Sequence, residues 1–181
     1  MRFEELIQAR RSVRRYQQRA VEPEKLEALI EAVRLSPSAS NSQPWKLILV
    51  DDPAIRDQVA RATFSRTLAF NKFAVEAPVI ALLAVERHSL VTQIGGWLKN
   101  RPYYLIDIGI AAAHFCLQAA ELDLGTCMLG WFDEAAIKKI VHAPRATRIG
   151  LVITLGYGAD HPAPHSRTRK AASVMSSRNR Y

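Results

Sequence analysis

The chain has 181 residues, 49% hydrophobic and 23% charged, with 25 Lys and Arg against 17 Asp and Glu for a formal net charge of +8. That length fits one domain, able to bury roughly 70% of its unfolded surface without outside staples, and the composition is that of an ordinary globular protein. Two cysteines, Cys116 and Cys127, exclude a disulfide framework and a Cys-x-x-Cys zinc spacing.

In chain order, Phe3, Leu6 and Ile7 share a helical face and predict a helix over residues 2–11. It runs into Arg10-Arg11-Ser12-Val13-Arg14, a set of guanidinium forks and one hydroxyl suited to a phosphate monoester. Pro23, the acidic residues after it and apolar Leu26, Leu29, Ile30 and Val33 predict a second helix over 23–33. In Ser36-Pro37-Ser38-Ala39-Ser40-Asn41-Ser42-Gln43-Pro44-Trp45 two prolines disfavour helix at the residue before each. The segment is therefore extended or turning, and its small polar side chains suit the edge of a flat heterocycle.

Lys46–Val50 predicts a strand, residues 53–63 a third helix, and the continuous apolar run Pro78–Val85 a strand buried on both faces. Residues 86–101, with Gly95-Gly96, match no pattern and are a candidate cover. A long helix is expected at about 103–122, stopping near Gly125. A strand from Thr126 to Trp131, a helix capped by Asp133 and a buried strand Ile149–Leu155 follow, the last broken by Gly156-Tyr157-Gly158. The final residues read as an arm. Strands interleaved with helices imply an α+β, mixed α/β sandwich. Residues 1–160 form the domain and 161–181 its extended C-terminal arm.

The opening Met1-Arg2-Phe3-Glu4-Glu5 shows no secretory pattern, and the apolar run Leu105–Ala120 carries Asp107, His114 and Gln118. That run reads as a buried core helix too short to span a bilayer, so no membrane and a reducing cytoplasm are expected. Basic residues gather at 10–19 and 167–180 rather than along one helix, with no nucleic-acid motif, so a small anionic ligand is expected instead of nucleic acid.

No side-chain acid/base or nucleophile motif stands out: there is no Gly-x-Ser-x-Gly, P-loop or His-Glu-x-x-His. Asp107 and His114 share a helical face, as satisfied core polar groups or as a buried pair. Pro162 and Pro164 interrupt the spacing of His161 and His165, and no metal is expected. Gly156-x-Gly158 lacks the third glycine of a dinucleotide turn.

Four motifs occur in order: Arg10-Arg11-Ser12-x-Arg14, Pro37-Ser38-x-x-Asn41-x-Gln43-Pro44-Trp45, Leu124-Gly125-Thr126-Cys127-Met128-Leu129-Gly130-Trp131, and Leu155-Gly156-Tyr157-Gly158. Together they resemble the nitroreductase-like FMN-dependent flavoprotein family. The resemblance implies a mixed central sheet flanked by helices in an intertwined homodimer whose C-terminal arm extends over the neighbouring subunit. It implies non-covalent FMN, NAD(P)H as a transient reductant, a small-molecule acceptor and no catalytic side chain. By the same resemblance Arg10 and Ser12, with Arg11 beside them, hold the phosphate or ribityl chain, and Arg14 approaches the pyrimidine edge. Pro37, Ser38, Ala39 and Asn41 reach the flavin from the other subunit, with Gln43 supporting the loop. Ala39 stands where the family commonly has Ser or Gly. Backbone groups of Leu129 and Gly130 face flavin N5, and Arg167 and Arg169 close the phosphate site.

The implied activity is NAD(P)H-driven reduction of nitro compounds, quinones or similar acceptors. Dehalogenation, enone reduction or a biosynthetic oxidation on the same fold remains open, as does a non-catalytic flavin, phosphate-ligand or nucleic-acid binder.

Overall fold

The computed structural model describes residues 1–86, 102–159 and 168–181. Helix α1 spans Phe3–Ala9, held at its start by Glu5, whose carboxylate accepts from the Arg2 backbone N–H and from its Nε, both at 3.0 Å. The helix is shorter than the sequence suggests. Arg10 is already extended, because Val13 N–H donates to the Thr126 carbonyl at 2.9 Å and draws the backbone into strand pairing.

Helix α2, Pro23–Arg34, has proline in its first turn and buries Leu29 and Val33, whereas Ile30 is exposed. Strand β1 is Trp45–Val50. Helix α3, Pro53–Arg61, starts at Asp52, whose carboxylate accepts from the N–H groups of Ala54 and Ile55. Strand β2 is Val79–Val85, helix α4 Tyr103–Glu121, strand β3 Gly125–Leu129, helix α5 Glu134–Ile140, strand β4 Arg148–Gly156, and helix α6 Ala172–Met175. Asp133 caps α5 as expected, accepting from Ala136 N–H at 2.9 Å.

The strands lie in the order β1-β2-β4-β3 with each ladder antiparallel, where a mixed sheet was expected; outside these strands Ser12 makes an isolated parallel bridge to Thr126. The fold is the expected α+β sandwich. Both sheet faces are covered, which is why β2 is apolar throughout rather than alternating. Val79, Ala81 and Leu83 join Leu29, Val33 and Phe115 under α2 and α4. Ile80, Leu82 and Ala84 join Val59, Ala60 and Ile137 under α3 and α5.

Two glycines have other work than the sequence suggests. The left-handed residue that stops α4 is Asp123, at φ 60°, not Gly125. Leu124 N–H returns to the Ala119 carbonyl at 2.8 Å and Asp123 N–H to that of Ala120 at 3.2 Å, a Schellman end. Gly156 does not break β4 but closes it, paired with Gly125.

Helix α4 also departs from the expectation of a buried core helix. With 19 residues it is long and apolar enough to cross a membrane by length and composition, and it buries only one stripe, including Asp107, Ile108, Ala111, Phe115 and Cys116. The opposite side exposes Ile106, Gly109 and Ala113, with Glu121 exposed at its C-terminal end and paired with the Met1 amino group.

Candidate functional site

Residues 12–17 form a strap across the end of the sheet. Val13 is tied to β3 as above; Gln17 N–H donates to the Tyr157 carbonyl at 2.9 Å, and Ala159 N–H to that of Arg15 at 3.0 Å. Tyr16 is buried, and its hydroxyl lies 2.9 Å from the Val13 carbonyl and 2.7 Å from Thr154 Oγ1. The strap can lie this close because Gly125 and Gly156 have no side chains. A Cβ at Gly125 would fall 2.6 Å from Val13 Cγ2, and one at Gly156 would fall 2.4 Å from Pro78 Cδ and 3.1 Å from Tyr16 Cδ1.

Alternation along the extended strap buries Val13 and leaves Ser12 and Arg14 exposed. Ser12 makes a parallel bridge to Thr126, which brings the strap alongside β3 next to Cys127. Burial pushes the Cys127 thiol's pKa up, while the charges of Arg14 and Arg10 and a hydrogen bond from Ser12 oppose the shift. Arg14 also stands 6.0 Å above the Phe73 ring centroid. A cleft of about 450 Å³ opens beside this edge, lined among others by Arg10, Arg11, Cys116, Thr126 and Gly158. Its volume is within the range of small-molecule sites. Cys116 is buried, and desolvation pushes its pKa up to about 11, so it is a protonated, inert thiol.

The second motif is a compact knot. Ser38 Oγ accepts from Gln43 N–H at 2.9 Å, Asn41 N–H donates to the Ser38 carbonyl at 3.0 Å, and Gln43 Nε2 donates to the Asn41 carbonyl at 3.3 Å. Ser40, Asn41 and Gln43 all have positive φ, between 45° and 52°. Pro37, Ser40, Asn41 and Gln43 are exposed. Asp107 and His114 of α4 are not a pair with each other. Asp107 accepts from Ala39 N–H at 3.0 Å, and His114 Nδ1 lies 2.8 Å from Ser36 Oγ. The sequence could not assign these roles, because both partners come from a distant loop.

At the exit of β3, Leu129 is buried and Gly130 exposed. Asn71, which sequence reasoning missed, is buried there; its amide donates to the carbonyls of Thr63 and Trp131, each at 3.1 Å. Phe70 packs edge-on against Trp131, with ring centroids 6.4 Å apart. The one available signal was an asparagine within an otherwise aromatic and basic stretch.

Within one chain these parts do not all meet. The knot sits at Asp107 and the cleft at Cys116, nine residues along α4, or roughly 13 Å at the helical rise. Arg169 is exposed, with Nη1 donating to the neighbouring Thr168 carbonyl at 3.0 Å. Arg167, His161 and His165 lie outside the described residues, as do nearly all of 86–101. Among the described residues no group of three His, Cys, Asp or Glu could hold a metal ion.

The model of the nitroreductase family matches residues 7–157. The chain belongs to that family. It is 27% identical to a nitroreductase family protein of Clostridium difficile 630, with a TM-score of 0.78 and 100% of each chain covered. It is similar to the NADPH:FMN oxidoreductase of Vibrio harveyi solved with NAD+, at a TM-score of 0.80, 20% identity and coverage of 98% of this chain and 77% of that one. An iodotyrosine deiodinase of Thermotoga neapolitana is 24% identical, with 88% of this chain and 90% of that protein covered.

Proposed function

We propose that this nitroreductase-family chain is an FMN-dependent NAD(P)H oxidoreductase that reduces small acceptors such as nitro compounds or quinones. The observation that carries the reading is the arginine-rich strap Arg10–Arg14, bridged to the β3 edge at Ser12, with Arg10 and Arg11 lining a cleft of about 450 Å³. Two guanidinium groups and a hydroxyl fit a phosphate-bearing ligand, and the glycine pair beneath the strap seats them firmly. The relationship to the Vibrio harveyi enzyme is further support. FMN supplies, when bound, hydride acceptance from NAD(P)H and delivery to the acceptor.

Arg10, Arg11 and Ser12 anchor the phosphate and ribityl end. Arg14 provides positive charge near the ring, where negative charge develops on reduction. Backbone groups of Leu129 and Gly130 line the reacting edge, with Asn71 holding Trp131 behind them. Arg167 and Arg169 close the phosphate side, as the family resemblance implies.

The working unit is a homodimer. Support comes from the apolar exposed side of α4, with the knot of residues 36–43 anchored on that helix beside it. A second copy covering this face would bring Pro37, Ser38, Ala39 and Asn41 to its partner's flavin, with Gln43 bracing the turn. Val174 and Met175 of α6, 72% and 67% exposed, are then available to pack on the neighbour.

The test is direct. Reconstituted protein should hold one releasable FMN per subunit and give parallel double-reciprocal lines when NAD(P)H and acceptor are both varied. Intersecting lines, or no flavin affinity, refute the reading. Reductive dehalogenation is the second reading, supported by the Thermotoga neapolitana relative; halide release from an iodinated phenol under anaerobic conditions separates the two.

A further inference from the structure

We infer that Asp107 is a positioning residue that sets the flavin-facing knot of residues 36–43, and that it does so for the site of the partner subunit. The inference rests on the dimeric flavin reading above.

The knot is closed on itself by bonds among Ser38, Ala39, Asn41, Ser42 and Gln43, so its internal shape does not need the rest of the protein. Its placement does. Two of its backbone and side-chain groups are gripped by α4: Ala39 N–H by Asp107 Oδ1, and Ser36 Oγ by His114 Nδ1. Ser36 Oγ donates to the Ala32 carbonyl at 3.1 Å, which leaves it to accept from the imidazole. Seven residues separate the two grips, two helical turns, so they lie on one line along α4 and hold the segment at two points.

Of the two, Asp107 grips the knot itself. It is 3% exposed, and its carboxyl oxygen accepting a backbone N–H in a buried place is a directional contact. Three consecutive-region residues with positive φ, Ser40, Asn41 and Gln43, persist only where the surroundings over-determine them. The knot's own bonds hold those angles, and the carboxylate fixes the whole turn on the helix whose other side exposes Ile106, Gly109 and Ala113. Placement of the knot and placement of the subunit interface are therefore fixed by the same rigid helix.

The experiment uses the full chain and FMN itself as probe. Asp107→Leu removes the acceptor and should weaken FMN binding, measured by quenching of flavin fluorescence, on the order of tenfold to a hundredfold. Asp107→Asn keeps an acceptor oxygen and should remain within about threefold of wild type. Ala39→Pro removes the same bond from the donor side. Ser38 is extended at φ −144° and ψ 159°, so it admits a following proline, and the variant should reproduce the loss. A role confined to stability predicts lower melting temperatures with unchanged FMN affinity.

Subunit mixing tests the action in trans. A heterodimer of Asp107→Leu and Arg10→Ala subunits would contain one intact and one doubly impaired site. It should bind one FMN per dimer at wild-type affinity, while each variant homodimer binds weakly at both sites. Two weak sites in the heterodimer, or wild-type affinity in Asp107→Leu and Ala39→Pro, overturn the inference. A wild-type protein that is monomeric or binds no FMN instead overturns the reading beneath it.

Discussion

Replacing Gly125 with alanine sets two effects of opposite sign against each other. None of the described glycines has a positive φ, so alanine is allowed at this backbone position, and lower unfolded-state entropy alone would stabilise by about 0.4–1 kcal/mol. Against this, the new Cβ would lie 2.6, 2.8 and 3.0 Å from Val13 Cγ2, Cβ and Cγ1. Rotation cannot clear all three, because the Cβ of Val13 is fixed by the backbone and its branched side chain is stiff at χ1. Forcing a methyl into such a site costs about 1–3 kcal/mol. The net expectation is a loss of about 1–2 kcal/mol, or a Tm lower by about 2–8 °C for a chain of this size.

The strain has one easy exit, which is to lift the strap from β3 and lengthen the Val13–Thr126 bond. That would carry Arg10, Ser12 and Arg14 off their seats, so FMN affinity should fall with stability. Val13→Ala added to Gly125→Ala removes two of the three close contacts and should recover part of both. Calorimetry of the apo-protein at fixed concentration and a flavin titration read the two quantities. A Gly125→Ala protein with unchanged or raised Tm would refute the close-seated strap.

Other expectations are shorter. Asp123→Gly relieves a left-handed residue at the end of α4 and should raise stability by about 1 kcal/mol in thermal denaturation; a fall in Tm would contradict that C-cap. Ala113→Glu places a charge on the exposed apolar side of α4 and should yield a particle near 20.3 kDa by light scattering, with weak FMN binding; an unaltered dimer would place the interface elsewhere. Glu22 has its pKa held at about 2, well below the usual 4.5, by the Tyr157 hydroxyl first, then its own backbone and Arg19. A depressed folded pKa gives stability that is present above about pH 4.5 and lost as pH falls toward 2, so Glu22→Gln should flatten that part of the Tm–pH curve. Arg14→Ala should lower the bound flavin's reduction potential more than Arg10→Ala, which should mainly weaken FMN binding; equal shifts would remove the assigned difference between ring and phosphate.

Much of the fold was legible where local chemistry decides it. The apolar run of β2 announced a strand with both faces covered, and the Asp133 cap and Pro23 helix start were read at their true positions. Errors fell where a distant residue wins over a local signal. The helical spacing of α1 seemed to continue through Arg11, but Thr126 captures the backbone at Val13. Gly125 and Gly156 looked like punctuation, yet they are small because Val13, Pro78 and Tyr16 lie against them. Asn71, Asp107 and His114 were opaque for the same reason, since each is explained by a partner brought from elsewhere. The arginines and the serine of the strap were legible because their chemistry, unlike their placement, is written in the residue types.

The strap has a consequence for how the protein is born. Tyr16 reaches Thr154 across 138 residues of sequence, and the Gln17 side chain reaches the Gly158 carbonyl across 141. Contacts of such separation pay loop-closure entropy before they return anything, so they form late. A chain emerging from the ribosome carries its arginine row almost from the first moment, but has nothing to lay it on until β4 and the two residues beyond it have been made. Cofactor capture therefore follows synthesis rather than guiding it, and any truncation before Gly158 releases a product unable to seat those arginines, however well its earlier helices form.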